Sequence, residues 1–279
     1  MTTLDLQATA ARNVRDVGGR QYTNMLVRTF IALMVRDIRV LQKQAVVFVV
    51  RTVMQPFLLV FVFGYVLPKI GQGPQRFADV LLPGLIGTAI IFQGIQAVAL
   101  PLVQEFGFTK EIEDRVLAPL PVAGVALEKI TIGALQALIA ALVVFPFVYL
   151  VPSTKPHIVI DWFHLVPVLL LACFVSGALG LAIGTAFSPR QVPLIFSIIV
   201  IPVTFLGCVY YPWDNLHAIR WLQVIVLANP LVYVSEGLRG SLTPQFGHLP
   251  WVAVYAGIVV ALVSFTFLGV RAFEKRVVS

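Results

Sequence analysis

The feature that most constrains this chain is a series of apolar runs too long for a soluble core. Residues 46–68, 79–103, 125–151, 164–187, 192–210 and 250–270 are each about the length needed to cross a hydrocarbon layer. Backbone polar groups in lipid must be satisfied internally, so such runs form helices unless they close a barrel. The 59% hydrophobic and 12% charged composition agrees, since soluble domains carry about 45–50% and about 25%. Disordered chains, disulfide scaffolds and ordinary soluble enzymes are thereby excluded. The expected fold class is an all-α integral membrane protein with six transmembrane helices.

Segments outside these runs set the organisation. Residues 1–22 are polar and read as a cytoplasmic tail; they hold no apolar core of a cleaved signal peptide. Residues 23–44 predict an amphipathic interfacial helix. Arg28, Arg36, Arg39 and Lys43 fall within about 80° of one another, and Leu26, Phe30, Leu33, Met34 and Leu41 gather on the far side, expected in lipid. Residues 45–279 then read as one transmembrane domain.

Arg51 lies just inside span 1, where a charge at the bilayer centre would cost about 2.5–3.5 kcal/mol. At about 8 Å from the span's start, it is expected to snorkel to the cytoplasmic interface. Pro56 is expected to kink this span. Gln93 and Gln96 share a face of span 2 and should avoid lipid. Gly177, Gly180 and Gly184 give span 4 a face for close helix packing. Residues 213–240 are too interrupted to cross the bilayer and predict two short re-entrant helices on the outer side, between spans 5 and 6.

Lys and Arg distribution orients the chain. With both termini cytoplasmic, fifteen basic residues lie inside and five outside, as the positive-inside rule requires. Trp162, Trp213, Trp221 and Trp251 then map near the outer interface. The net charge of +7 belongs to this pattern and not to nucleic-acid binding.

Catalytic signatures are missing from the sequence. It contains no phosphate-binding G-x-x-x-x-G-K-[ST], no H-E-x-x-H and no Asp-rich repeat. The four histidines show no metal-ligand spacing, and Cys173 and Cys208 fall inside apolar runs. Ser176-Gly177 is preceded at position 174 by Phe rather than the Gly of a membrane serine protease, so Ser176 reads as a packing residue. No acid occupies the centre of a predicted span, which argues against a proton- or sodium-coupled carrier.

The remaining prominent feature is the charged segment 104–122, where Glu105, Glu111, Glu113 and Asp114 outnumber Lys110 and Arg115, with Pro119 and Pro121 following. Mixed charge suits a protein partner better than an anionic lipid surface; a solvated loop is the alternative.

Four stretches together resemble the membrane subunit of an ABC-2 type ATP-binding-cassette exporter. They are the basic helix 23–44, LLPGLIG at 81–87, FGFTKEIEDRVLAPLPVAGVALEK at 106–129, and VIPVTFLGCVYYP at 200–212 followed by NPLVYVSEGLRG at 229–240. The resemblance implies a homodimer in the cytoplasmic membrane, with a separate ATPase subunit beneath each copy. ATP and Mg²⁺ would bind that partner, and this chain would need no cofactor of its own. It also implies a coupling segment at 104–122, with Glu105, Phe106, Gly107, Lys110, Glu111, Glu113, Arg115, Pro119 and Pro121 at the ATPase contact. Ser188–Gln191 would make a second, smaller contact. Spans 2 and 5 would line the pathway, which nominates Phe92, Gln93, Gln96, Thr204 and Phe205. The re-entrant helices would gate the exit, with Asn229, Pro230, Glu236 and Arg239 as candidates, although Glu236 and Arg239 at i,i+3 are first expected to pair with each other. The implied cargo is amphipathic: a drug, a lipid or a lipid-linked glycan. Two other classes stay open, an ATP-independent facilitator or ion-coupled carrier, and a membrane enzyme with an unfamiliar site.

Overall fold

The computed structural model describes residues 19–71, 77–109, 120–153, 155–187, 191, 198 and 202–278. All regular elements among these residues are helical. Helix α1 covers Gly19–Lys43. Helix α2 begins at Ala45 and continues through a π-helical stretch, Phe61–Val66, to Lys69. Helix α3 covers Phe77–Gln104 and ends in a second π-helical turn, Glu105–Thr109. Helices α4 and α5 cover Val122–Leu150 and Trp162–Ala186. After the 3₁₀ turn Trp213–Ala218 come the short α6, Arg220–Ile225, then α7, Pro230–Leu242, and α8, Trp251–Val278.

Five helices are long and apolar enough to span a membrane: Ala45–Lys69, Ala78–Gly107, Val122–Leu150, Trp162–Ala186 and Trp251–Val277. They correspond to predicted spans 1 to 4 and 6. Most of predicted span 5 lies outside the described residues; its end is helical at 202–205 and turns at Leu206. Arg220–Ala228 and Pro230–Leu242 are bent by 100° about Asn229, which fits the expected pair of short helices that turn back.

Helix α3 is the centre of the bundle. It packs against α2, α4, α5 and α7, and every residue from Leu81 to Ile95 is buried. Within its apolar window 78% is buried, against 22% for α2 and 17% for α8, so those two present their apolar surfaces outward. Small residues permit the tight packing. A Cβ on Gly84 would overlap the backbone of Val209, and one on Gly94 would overlap the Ser176 side chain. Gly177, Gly180 and Gly184 face Ile130, Ile95 and Ala99, as expected for a packing face.

Pro56 sits inside α2, and the helix widens into π geometry one turn later. Widening frees carbonyls from their usual partners. Gly64 O is satisfied from outside the helix, by Ser153 N at 3.0 Å and Ser153 Oγ at 3.2 Å.

Two expectations need correction. Helix α1 begins at Gly19, and its Leu26, Phe30 and Leu33 pack on the protein rather than reaching lipid. They join Val98, Leu102, Val125, Ala126, Ile130 and Phe273 in a second apolar cluster. The large apolar side chains of α1 that stay exposed are Val27, Ile31 and Val35, at i,i+4 spacing between the apolar and basic faces, and Val40. The sequence pattern ends span 6 at residue 270 and leaves Arg271, Lys275 and Arg276 as a basic tail, whereas these residues form the last part of α8. Phe273 is fully buried there and holds that turn in helix.

Candidate functional site

The tryptophan-rich and charged ends of the bundle are built differently, with cavities between them. At the charged end, Lys129 Nζ on α4 lies 2.6 Å from Glu105 Oε1 and 3.4 Å from Asp37 Oδ2 of α1. The Lys129 side chain is only 3% exposed, and the two carboxylates offset the cost of desolvating its charge. Asp37 reaches it because it falls in the sector of α1 that faces the protein. One residue further along the chain, Phe106 meets Phe273 edge to face at 5.9 Å, and the Arg276 guanidinium stands 4.6 Å above the Phe106 ring. Arg276 Nη1 also donates to the carbonyls of Gly184, Thr185 and Phe187. These are the last carbonyls of α5, where a cation is favoured. The root of the 104–122 segment is therefore tied to α1, α4 and α8.

Three cavities meet beside α2. The largest polar one, about 420 Å³, lies between α1, α2, α3 and α4 and is lined by Asp37, Arg51, Gln93, Gln96, Gln104 and Lys129 among others. A narrow cleft of about 40 Å³ continues between α2 and α3, past Thr52, Gln55, Phe92, Gln93 and Gln96. There Thr52 Oγ1 donates to Gln93 Oε1 at 3.0 Å. An apolar groove of about 700 Å³ lies on the outer side of α2, against Thr204, Phe205 and Tyr210. Arg51 lines all three.

At the tryptophan end, Glu236 and Arg239 of α7 are fully buried and ion-paired. Both Glu236 oxygens also accept backbone bonds: Oε1 from Trp213 N and Oε2 from Leu249 N, each at 3.0 Å. Arg239 Nη2 donates to Cys208 O at 2.7 Å. Cys208 adopts a left-handed φ of 52°, a conformation uncommon outside glycine and a source of strain. Asn229 caps α7, accepting from Leu231 N at 3.0 Å, while its Nδ2 donates to Val203 O at 2.8 Å. Pro230 follows at the first helical position, where its missing N–H has no cost.

The structure thus sorts the predicted residues into three places. Glu105 and Phe106 sit at the charged end, but Glu105 is buried against Lys129 and offers no exposed contact surface. Gly107 and Pro121 are exposed at the two ends of the segment. Lys110, Glu111, Glu113, Arg115 and Pro119 lie outside the described residues, as do Ser188 to Arg190 of the second predicted contact. Phe92, Gln93 and Gln96 line the cleft, whereas Thr204 and Phe205 line the groove on the other side of α2. Asn229, Pro230, Glu236 and Arg239 belong to one fastening on α7, and the expected Glu236–Arg239 pair forms. Sequence reasoning missed Lys129, Asp37 and Gln55. Lys129 was visible inside the 106–129 stretch, but nothing in the sequence marks a lysine as buried.

A helical bundle with a core helix enclosed by its neighbours, outward apolar faces and five to six helices fit to cross a bilayer is a multi-pass membrane protein. The chain belongs to the ABC-2 type transporter family, whose profile matches residues 28–243, and it is a membrane subunit of an ABC-type transporter. The matched region runs from α1 through α7 and stops before α8. Among curated proteins, none matches the chain at a level that carries an argument.

Proposed function

We propose that this chain is the membrane subunit of an ATP-driven exporter of an amphipathic cargo. It works as a homodimer in the cytoplasmic membrane with both termini inside, and a separate ATPase subunit binds ATP and Mg²⁺. The observation that carries the reading is the anchoring of the 104–122 segment. Glu105 is fastened through Lys129 to Asp37, and Phe106 is fastened to Phe273 and Arg276. A push delivered to that segment is passed to α1, α4 and α8 instead of being absorbed by a loose loop. Glu105 then acts as a positioning residue, and contact with the ATPase falls to Lys110, Glu111, Glu113 and Arg115.

Closure of the ATPase dimer on ATP moves the segment, and the bundle answers by opening a pathway beside α2. The test is charge reversal. Glu111→Lys with Glu113→Lys should leave membrane insertion intact while lowering transport and cargo-stimulated ATP hydrolysis at least tenfold. Unchanged transport would overturn the coupling assignment. Purification of the tagged chain in mild detergent should bring down a near-stoichiometric subunit containing a P-loop; its absence, with transport in vesicles that lack ATP, would overturn the ATP-driven reading.

A further inference from the structure

The three cavities beside α2 share one cation. Arg51 stands two turns inside a membrane-spanning helix and has no ion pair or hydrogen bond among the described residues. An ionisable side chain at this depth is costly and normally faces a partner or a pathway. Around it the cleft supplies neutral polar groups: Thr52, Gln55, Gln93 and Gln96. Among the described residues, no carboxylate lines the cleft or the groove. Asp37 and Glu105 line the lower cavity, but both are committed to Lys129. The groove that shares Arg51, Gln55 and Leu59 with the cleft is otherwise walled mostly by apolar side chains, Val50, Met54, Leu58 and Phe205, beside Thr204 and Tyr210.

We infer that Arg51 receives the anionic headgroup of the cargo, a phosphate, carboxylate or sulfate, and that the groove against Met54, Leu58 and Phe205 receives its alkyl tail. This rests on the transport reading above and narrows its cargo to amphipathic anions. The guanidinium provides paired donors to such a group, and Gln55 and Gln93 add neutral donors beside it. A cationic amphipath finds an uncompensated positive charge at the same place and is excluded.

The test is binding of radiolabelled dodecyl phosphate to the full-length chain, with any subunit that accompanies it, in phosphatidylcholine nanodiscs without nucleotide. Saturable binding is expected, with competition by dodecanoate and dodecyl sulfate and none by dodecyltrimethylammonium. Arg51→Gln should weaken it about tenfold or more, and Arg51→Lys less, because the charge remains. A second variant guards against a folding failure at position 51. Gln55→Glu puts a carboxylate one turn from Arg51, so dodecyl phosphate binding should fall and dodecyltrimethylammonium binding appear. Equal competition by anionic and cationic amphipaths, or binding unchanged in Arg51→Gln and Gln55→Glu, would overturn the assignment. That result would leave Arg51 as an anchor to bilayer phosphates. Exchange of one third of the lipid for phosphatidylglycerol separates two sources of the headgroup: displacement of dodecyl phosphate points to a membrane lipid, and persistence points to a free amphipathic acid. Because no ATP is present, loss of the ATPase reading and loss of the anion site are separate results.

Discussion

Lys129 Nζ and Glu105 Oε1 lie 2.6 Å apart, and both side chains are buried although 24 residues of chain separate them. The bond ties the π-helical turn at the end of α3 to α4, so the two described ends of the charged segment are held together. Replacement of Lys129 by Met removes the cation that Glu105 and Asp37 share, and loss of about 3–5 kcal/mol is expected. Replacement of Lys129 by Met together with Glu105 by Leu and Asp37 by Leu should recover most of it, because an apolar set of similar volume removes the desolvation cost. Thermal unfolding of the single and triple variants in detergent measures the difference. A single variant as stable as the parent would refute the anchoring role.

Glu236 holds more than its ionic partner. Its two oxygens fix Trp213 N and Leu249 N, which stand at either end of the segment containing α6 and α7. Glu236→Gln removes the charge that Arg239 needs and one of the acceptors. A loss of about 3 kcal/mol is expected. Asn229→Ala should cost about 1 kcal/mol, the ordinary value of a helix cap. Limited proteolysis at residues 243–250 should accelerate in the first variant and barely change in the second.

Gly94 and Ser176 illustrate packing without polarity. An Ala at position 94 overlaps the Ser176 side chain, and overpacking of this kind typically costs about 1–3 kcal/mol. Ser176→Gly should relieve it, so the double variant Gly94→Ala, Ser176→Gly should melt above Gly94→Ala alone. Equal melting temperatures would show that the helices separate by another route.

Asp161 caps α5 and accepts from Phe163 N at 3.0 Å, with His164 Nδ1 2.6 Å from its other oxygen. The hydrogen bond from His164 holds its carboxyl below the ordinary carboxylate range. A carboxylate shifted down stabilises the fold above its unfolded value and loses that contribution as pH falls through its folded value. Asp161→Asn should therefore be less stable than the parent near neutrality. The two melting curves should converge once the pH drops below the carboxylate range.

How much of this was legible in the sequence depends on what kind of force was involved. The spans at Ala45–Lys69 and Trp162–Ala186 were readable to within two residues because burial in lipid demands an unbroken apolar run. The helical pair around Asn229 was readable because its polar interruptions leave no run long enough to cross. The Glu236–Arg239 pair was readable from i,i+3 spacing, yet its hold on Trp213 and Leu249 was not, since backbone N–H donors leave no mark in composition. The inward turn of Leu26, Phe30 and Leu33 was missed because helical periodicity separates apolar from basic faces and cannot tell protein from lipid as the apolar neighbour. Arg51 was read through its distance from the membrane edge; only the cavities around it reveal Gln55, Gln93 and Gln96 as its surroundings.

The enclosure of α3 has a consequence for how the molecule is made. Three of its four walls, α4, α5 and α7, come later in the chain than the helix they surround. When α3 emerges from the ribosome, Asp79, Gln93 and Glu105 have no finished interior to enter, although each is buried in the end. A helix with those groups cannot simply be released sideways into lipid and left there. It must be retained beside the insertion machinery, or loosely against α2, until α5 arrives. The core helix is thus made before most of the helices that enclose it, and a variant can be faultless once complete yet lost during biosynthesis because the wait for α5 has become too costly.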